Sequence, residues 1–148
     1  MRKKLYIAYG SNLNIAQMKR RCPDARPIGT GIMEDWKLVF RGNSVSGVCN
    51  IVKSPGDCVP VGIWEISEMD ERSLDRYEGY PHLYRKETVN LAQSGRPRKA
   101  LIYIMNYGSP AMPGKGYVET CSQGYRDFGL PLEMWDEAIE FNRKECMK

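Results

Sequence analysis

Two short stretches of this chain hold residue types that could do chemistry together. The first is Tyr9-Gly10-Ser11-Asn12, which follows the apolar run Leu5-Tyr6-Ile7-Ala8. A strand that ends in Gly-Ser-Asn and runs straight into a helix leaves several backbone N–H groups unpaired. Such groups can hold a carboxylate or a developing oxyanion without any charged side chain. The second stretch is Leu74-Asp75-Arg76-Tyr77-Glu78-Gly79-Tyr80-Pro81. Here Glu78 stands at the expected end of a helix, before a glycine able to take the left-handed conformation, with Tyr77 and Tyr80 flanking it. Aromatic walls and partial burial raise a carboxyl pKa toward neutrality, where one group can both accept and donate a proton. The negative end of the helix dipole pushes the same way. On the residues alone, a solvated glutamate beside a helix stop is the plainer reading.

Other chemistries find little support. His82 is the sole histidine, and a Ser-His-Asp or Cys-His hydrolase would have to use it, yet the chain has no G-x-S-x-G elbow. One histidine without a spaced acidic cluster makes a poor metal site. The five cysteines, Cys22, Cys49, Cys58, Cys121 and Cys146, are far apart and form no C-x-x-C pair, so they read as free thiols in a reducing compartment. No cofactor or metal is expected.

These stretches must be positioned by a fold of modest size. At 148 residues the chain suits one domain spanning 1–148. The net charge of +4 is mild and scattered, apart from Arg2-Lys3-Lys4, which reads as a solvated terminus. Nucleic-acid binding is therefore not expected. The apolar run after those basic residues stops at Ala8, too short for an export signal, and no run approaches a membrane span. A cytoplasmic protein with no membrane or nucleic-acid partner follows as the expectation. The oligomeric state stays open, a homodimer included.

Short apolar runs separated by Gly, Pro and Asn predict strands over Lys4–Tyr9, Ile32–Arg41, Gly47–Val52, Val59–Glu65, Tyr84–Leu91 and Lys99–Asn106. Ser54-Pro55-Gly56-Asp57 and Gln93-Ser94-Gly95-Arg96-Pro97 read as turns. Pro60 and Pro97 fall at strand beginnings, where a missing N–H is tolerated. One helix follows Asn12 or Asn14 as cap and halts near Pro23; a second is capped by Ser67 and stops at Gly79. Two more cover Tyr117–Phe128 and Leu132–Glu145, the last with Trp135, Ala138, Ile139 and Asn142 on one face. Short connections favour a mainly antiparallel, curved or closed sheet flanked by helices, an α+β class.

The order of several blocks resembles the gamma-glutamylcyclotransferase family over nearly the whole chain. They are YIAYGSNL at Tyr6–Leu13, SPGD at Ser54–Asp57, VGIWEI at Val61–Ile66, LDRYEGYPHLY at Leu74–Tyr84, YIMNY at Tyr103–Tyr107 and GYVETCSQGYRDFGLPLEMW at Gly116–Trp135. The resemblance implies a small β-barrel with attached helices and a metal-free reaction. A γ-glutamyl amide, a small-molecule substrate, would cyclise to 5-oxoproline as its own α-amine attacks its γ-carbonyl. Glu78 matches the proton shuttle. Tyr6, Ile7, Ala8, Tyr9, Gly10, Ser11 and Asn12 match the substrate loop, and Tyr84 and Tyr117 match tyrosines that line the pocket. Each tyrosine also reads as an ordinary core residue, and Ser11 as a helix cap. The segment EGYPHLY differs from the longer, non-proline connection of the vertebrate enzyme. This leaves open a larger leaving amine, such as a γ-glutamyl-ε-lysine isopeptide or an acylated antibiotic amine. A binding protein without turnover is the reading from another class.

Overall fold

Strand-forming runs build one six-stranded sheet in a computed structural model that describes residues 3–43, 46–93 and 95–148. Arg2 of the basic run and Ser94 of the second turn lie outside the described residues. The strands are β1 (Lys4–Ala8), β2 (Arg26–Asn43), β3 (Ser46–Ile66), β4 (Tyr84–Gln93), β5 (Arg96–Met105) and β6 (Ser109–Pro110). The helices are α1 (Ile15–Arg21), α2 (Glu68–Glu78), α3 (Lys115–Phe128) and α4 (Leu132–Cys146), with a 3-10 turn at Ser11–Leu13.

The sheet runs in the order β4-β5-β1-β3-β2-β6. Among the described residues only the β1–β5 pair is parallel; the other pairs are antiparallel. The sheet curls so far that a Cβ on Gly31 of β2 would stand 3.3 Å from Leu91 of β4, although these strands are not hydrogen-bonded neighbours. The α+β class holds, and the expected barrel is a half-barrel with β4 and β6 as its edges.

β2 and β3 are much longer than the sequence suggests. β2 begins at Arg26 rather than Ile32, because pairing with β3 overrides the weak strand propensity of Pro27, Gly29 and Gly31, with a register shift between Pro27 and Gly29. Gly47–Val52 and Val59–Glu65 belong to one strand. Ser54–Asp57, expected as a turn, bulges out within it, between the pairs Glu34–Cys58 and Trp36–Lys53, with Gly56 at φ +88° and its N–H donating to Asp35 Oδ1 (3.0 Å). Pro60 consequently lies inside β3 rather than at its start. It sits beyond the last β1 pair, Ala8–Gly62, so only β2 runs beside it.

The helix signals place the elements closely. Asn14 caps α1 by accepting from Gln17 N–H (3.0 Å). Ser67 and Asp70 cap α2 reciprocally, at 3.1 and 3.0 Å. On α4, Trp135 meets Phe40 of β2 edge-on at 5.2 Å and is buried, a contribution of about 2–3 kcal/mol. Asn142, on the same face and fully buried, accepts from Phe40 N–H (3.1 Å) and donates to Ala111 O (3.0 Å). Its amide thereby satisfies backbone groups that would otherwise be buried unpaired. Among the described residues, no helix is long and apolar enough to cross a membrane.

Candidate active site

β1 carries its buried side chains to the mouth of the half-barrel, where the chain leaves the sheet at Tyr9-Gly10 and tightens into the Ser11–Leu13 turn. The turn is pinned from below: Trp64 Nε1 on β3 donates to Asn12 O (2.9 Å), and Leu13 is fully buried. α3 passes close beside it. A Cβ on Gly124 would come within 2.5 Å of Leu13 Cβ and 2.8 Å of Asn14 N, so only glycine permits this approach. Gly10 is wedged likewise: an added Cβ would meet Cys49 Cβ at 3.0 Å and the Tyr117 hydroxyl at 3.1 Å.

α2 brings the second stretch to the same place. Its last turn ends at Gly79, in the left-handed conformation (φ +67°), whose N–H donates to Arg76 O while Tyr80 N–H donates to Asp75 O. This stop leaves Glu78 facing a cavity of about 250 Å³. The walls are Tyr6, Ile7, Tyr9, Gly10, Ser11 and Asn12 from the first loop, Val48 and Cys49 from β3, Tyr77, Leu83 and Tyr84 around Glu78, Tyr103 from β5 and Tyr117 from α3. Glu78 and the first loop, 66 residues or more apart in sequence, therefore share one chamber.

The electrostatics of this chamber are those of a carboxyl among neutral donors. Burial pushes the Glu78 carboxyl up to about 7 from its ordinary 4.5, and the Arg21 guanidinium offsets part of that rise. Burial also raises Tyr6, Tyr9, Tyr84, Tyr103, Tyr117 and Cys49, so these groups stay neutral and can donate hydrogen bonds. Several are held in fixed orientation. Tyr9 OH donates to Tyr103 O (2.6 Å), Tyr84 OH to Cys49 O (3.0 Å) and Tyr103 OH to Asp75 Oδ1 (2.5 Å), while Tyr117 OH accepts from Cys49 N–H (2.9 Å). Ser11 Oγ and the Tyr77 hydroxyl share a hydrogen bond of 2.9 Å, and Asn12 Nδ2 donates to Tyr6 OH (2.8 Å). Among the described residues no lysine or arginine lines the cavity, so an anionic group entering it meets phenols and main-chain N–H groups. His82 sits exposed in the following turn, outside the lining.

Most residues expected at the site line this chamber. Ala8 does not: it is buried in β1 outside the lining. Tyr80 does not flank the carboxyl either. It is exposed, beneath Lys86 Nζ at 4.2 Å from its ring, because the left-handed Gly79 turns the chain away. Sequence reasoning did not single out Val48, Cys49, Leu83 or Tyr103. The first two sit in a strand run with no chemical signal. Tyr103 lies in the Tyr103–Tyr107 block, which carries the family resemblance and no chemical signal of its own.

The model of the family described as "Gamma-glutamyl cyclotransferase, AIG2-like" matches residues 6–125. The chain belongs to the gamma-glutamyl cyclotransferase, AIG2-like family. Within it, the chain is similar to the human gamma-glutamylcyclotransferase, 34% identical over 93% of this chain and 79% of that protein. The bovine gamma-glutamylcyclotransferase is 32% identical over 87% of this chain and 73% of its own length. Among solved structures, one of a gamma-glutamyl cyclotransferase superposes with a TM-score of 0.83 at 29% identity, over 93% of this chain and 86% of that one. The family match thus contains both the Gly10–Asn12 loop and Glu78.

Proposed function

We propose that this family member converts a γ-glutamyl amide into 5-oxoproline and a free amine, with Glu78 carrying the proton. One observation carries the reading: the Glu78 carboxyl, which burial pushes up from its ordinary value, shares one cavity with the loop whose first N–H groups have no partner within the 3-10 turn. The nucleophile is the substrate's own α-amine, so no serine, cysteine or metal has to supply one. The protein's task is to fold the γ-glutamyl chain into a ring-closing geometry, where positioning alone can supply about 7–11 kcal/mol.

The α-nitrogen bonds to the γ-carbon while Glu78, as carboxylate, accepts a proton from it. Main-chain N–H groups of Gly10 and Ser11 stabilise the tetrahedral oxyanion, at about 3–4 kcal/mol per donor. Collapse of that intermediate breaks the γ-carbon–nitrogen bond, and Glu78 returns its proton to the departing nitrogen. The remaining proton at each nitrogen exchanges with water. Neutral phenols around the ring-closing atoms exclude solvent without competing for that proton.

The test is release of 5-oxoproline by the purified protein from a panel of γ-glutamyl amides, from γ-glutamyl amino acids to a γ-glutamyl-ε-lysine isopeptide. Lactam from at least one compound supports the reading, and the preferred compound names the amine. Binding of these compounds with no lactam from any would leave a γ-glutamyl-binding protein instead.

A further inference from the structure

Arg21 lies outside the cavity lining, yet it touches both halves of the site. It ends α1, and its guanidinium carbon stacks 3.5 Å from the centre of the Tyr77 ring. The same group donates to Asn12 Oδ1 and to Gln17 Oε1, the latter at 3.3 Å. Tyr77 precedes Glu78 and bonds Ser11, while Asn12 bonds Tyr6, so Arg21 closes a ring of contacts from α2 through the turn to β1. A planar cation suits this double task, since it can stack and donate in fixed directions at once.

We propose that Arg21 is a positioning residue: it clamps the end of α2 that carries Glu78 onto the Ser11–Asn12 turn and sets a fixed positive charge beside that carboxyl. The inference rests on the reading of Glu78 as proton shuttle. The groups facing Glu78 are Tyr6 from β1, Tyr9 just beyond its end, Cys49 from β3, Tyr84 from β4, Tyr77 on α2 and Arg21 from α1. Tyr6, Tyr9, Cys49 and Tyr84 are kept neutral by burial, so Arg21 is the charged partner in that set. Removing it takes away the influence that favours the carboxylate, and Glu78 should then hold its proton to higher pH.

The experiment measures kcat and kcat/KM for 5-oxoproline release across pH 5–9 in Arg21→Met, Arg21→Lys and wild type. Arg21→Met should lower kcat about tenfold or more through misplacement of Glu78 and move the acidic limb of the kcat/KM profile upward. Arg21→Lys, which keeps the charge without the planar stack, should lose kcat while leaving the limb at its wild-type pH. Any other placement of the two limbs overturns the proposal, whatever the loss of kcat. Should Arg21→Met fail to fold, Arg21→Gln makes the same charge deletion. Failure of the parent reading is distinguishable, because Glu78→Gln would then retain turnover irrespective of Arg21.

Discussion

The ends of α2 and α3 are built from the same local chemistry and serve different purposes. One reads Arg76-Tyr77-Glu78-Gly79-Tyr80-Pro81 and the other Arg126-Asp127-Phe128-Gly129-Leu130-Pro131. Both stop on a left-handed glycine, with φ +67° and +68°. Both close the same pair of backbone bonds: Gly79 N–H to Arg76 O and Tyr80 N–H to Asp75 O, against Gly129 N–H to Arg126 O and Leu130 N–H to Tyr125 O. They part in what the flanking side chains meet. At α3, Leu130 is buried and Phe128 lies edge-on to Trp64 at 5.5 Å, so the end is anchored in the core. At α2, Tyr80 is exposed, Tyr77 is held by Ser11 and Arg21, and the residue before glycine is a carboxyl turned into a cavity. Local sequence sets the stop; the surroundings decide whether it anchors the fold or presents a carboxyl to a cavity.

The largest expected effect breaks the comparison at its chemical side. Glu78→Gln keeps the shape of the α2 end and removes the proposed proton carrier. 5-Oxoproline release should fall by about 10²–10⁴-fold with the fold intact; turnover near wild type would remove Glu78 from the mechanism. In wild type, kcat/KM should rise with pH through about 7, as Glu78 ionises.

The same carboxyl makes a stability prediction of definite sign. Its folded value of about 7 lies above the ordinary 4.5, so the folded state binds the proton more tightly than the unfolded one. Stability therefore declines as pH rises from about 4.5 to 7, then levels off with up to about 3 kcal/mol lost. Glu78→Gln should be the more stable protein at pH 8 and gain little at pH 4.5, as read by denaturant unfolding at both. Equal differences at the two pH values would mean that the carboxyl is not desolvated in the native state.

How much of this was legible follows from the range of the forces involved. Ser67, Gly79, Asn14 and Gly129 act within a turn or two, so caps and stops could be read directly. The chemical promise of the Gly10–Asn12 turn was visible for the same reason. Cys49 and Tyr103 join the site only because β3 and β5 flank β1 in the sheet, a register no local pattern announces. Tyr80 was misplaced because adjacency in sequence says little once a left-handed residue intervenes. Ser54–Asp57, expected as a turn, is instead an unpaired bulge within β3, because long-range pairing with β2 carries the strand past it.

At the anchored end, Phe128→Ala should cost about 2–3 kcal/mol, since the ring packs on Trp64 and against the backbone at Gly62. Its kcat should fall far less than that of Glu78→Gln. A kcat loss as large as that of Glu78→Gln, with stability unchanged, would show that this end also serves the reaction.

The smallest effect is the sharpest, because it alters the shared glycine itself. At Gly129 an added Cβ meets nothing within 4 Å, so Gly129→Ala should cost only the left-handed strain of an L residue, about 1 kcal/mol. At Gly79 the same strain applies, and the Cβ would also stand 3.1 Å from Leu83 Cβ. Leu83 walls the cavity, so relief of that contact moves a surface of the proposed substrate site. Gly79→Ala should thus lose a few tenths of a kcal/mol more than Gly129→Ala and change KM, which Gly129→Ala should leave alone. Denaturant unfolding and steady-state kinetics on the pair decide it. Equal stability losses with KM unmoved in both would mean that the two helix ends differ only in the side chain before glycine, and that the α2 stop does not shape the cavity.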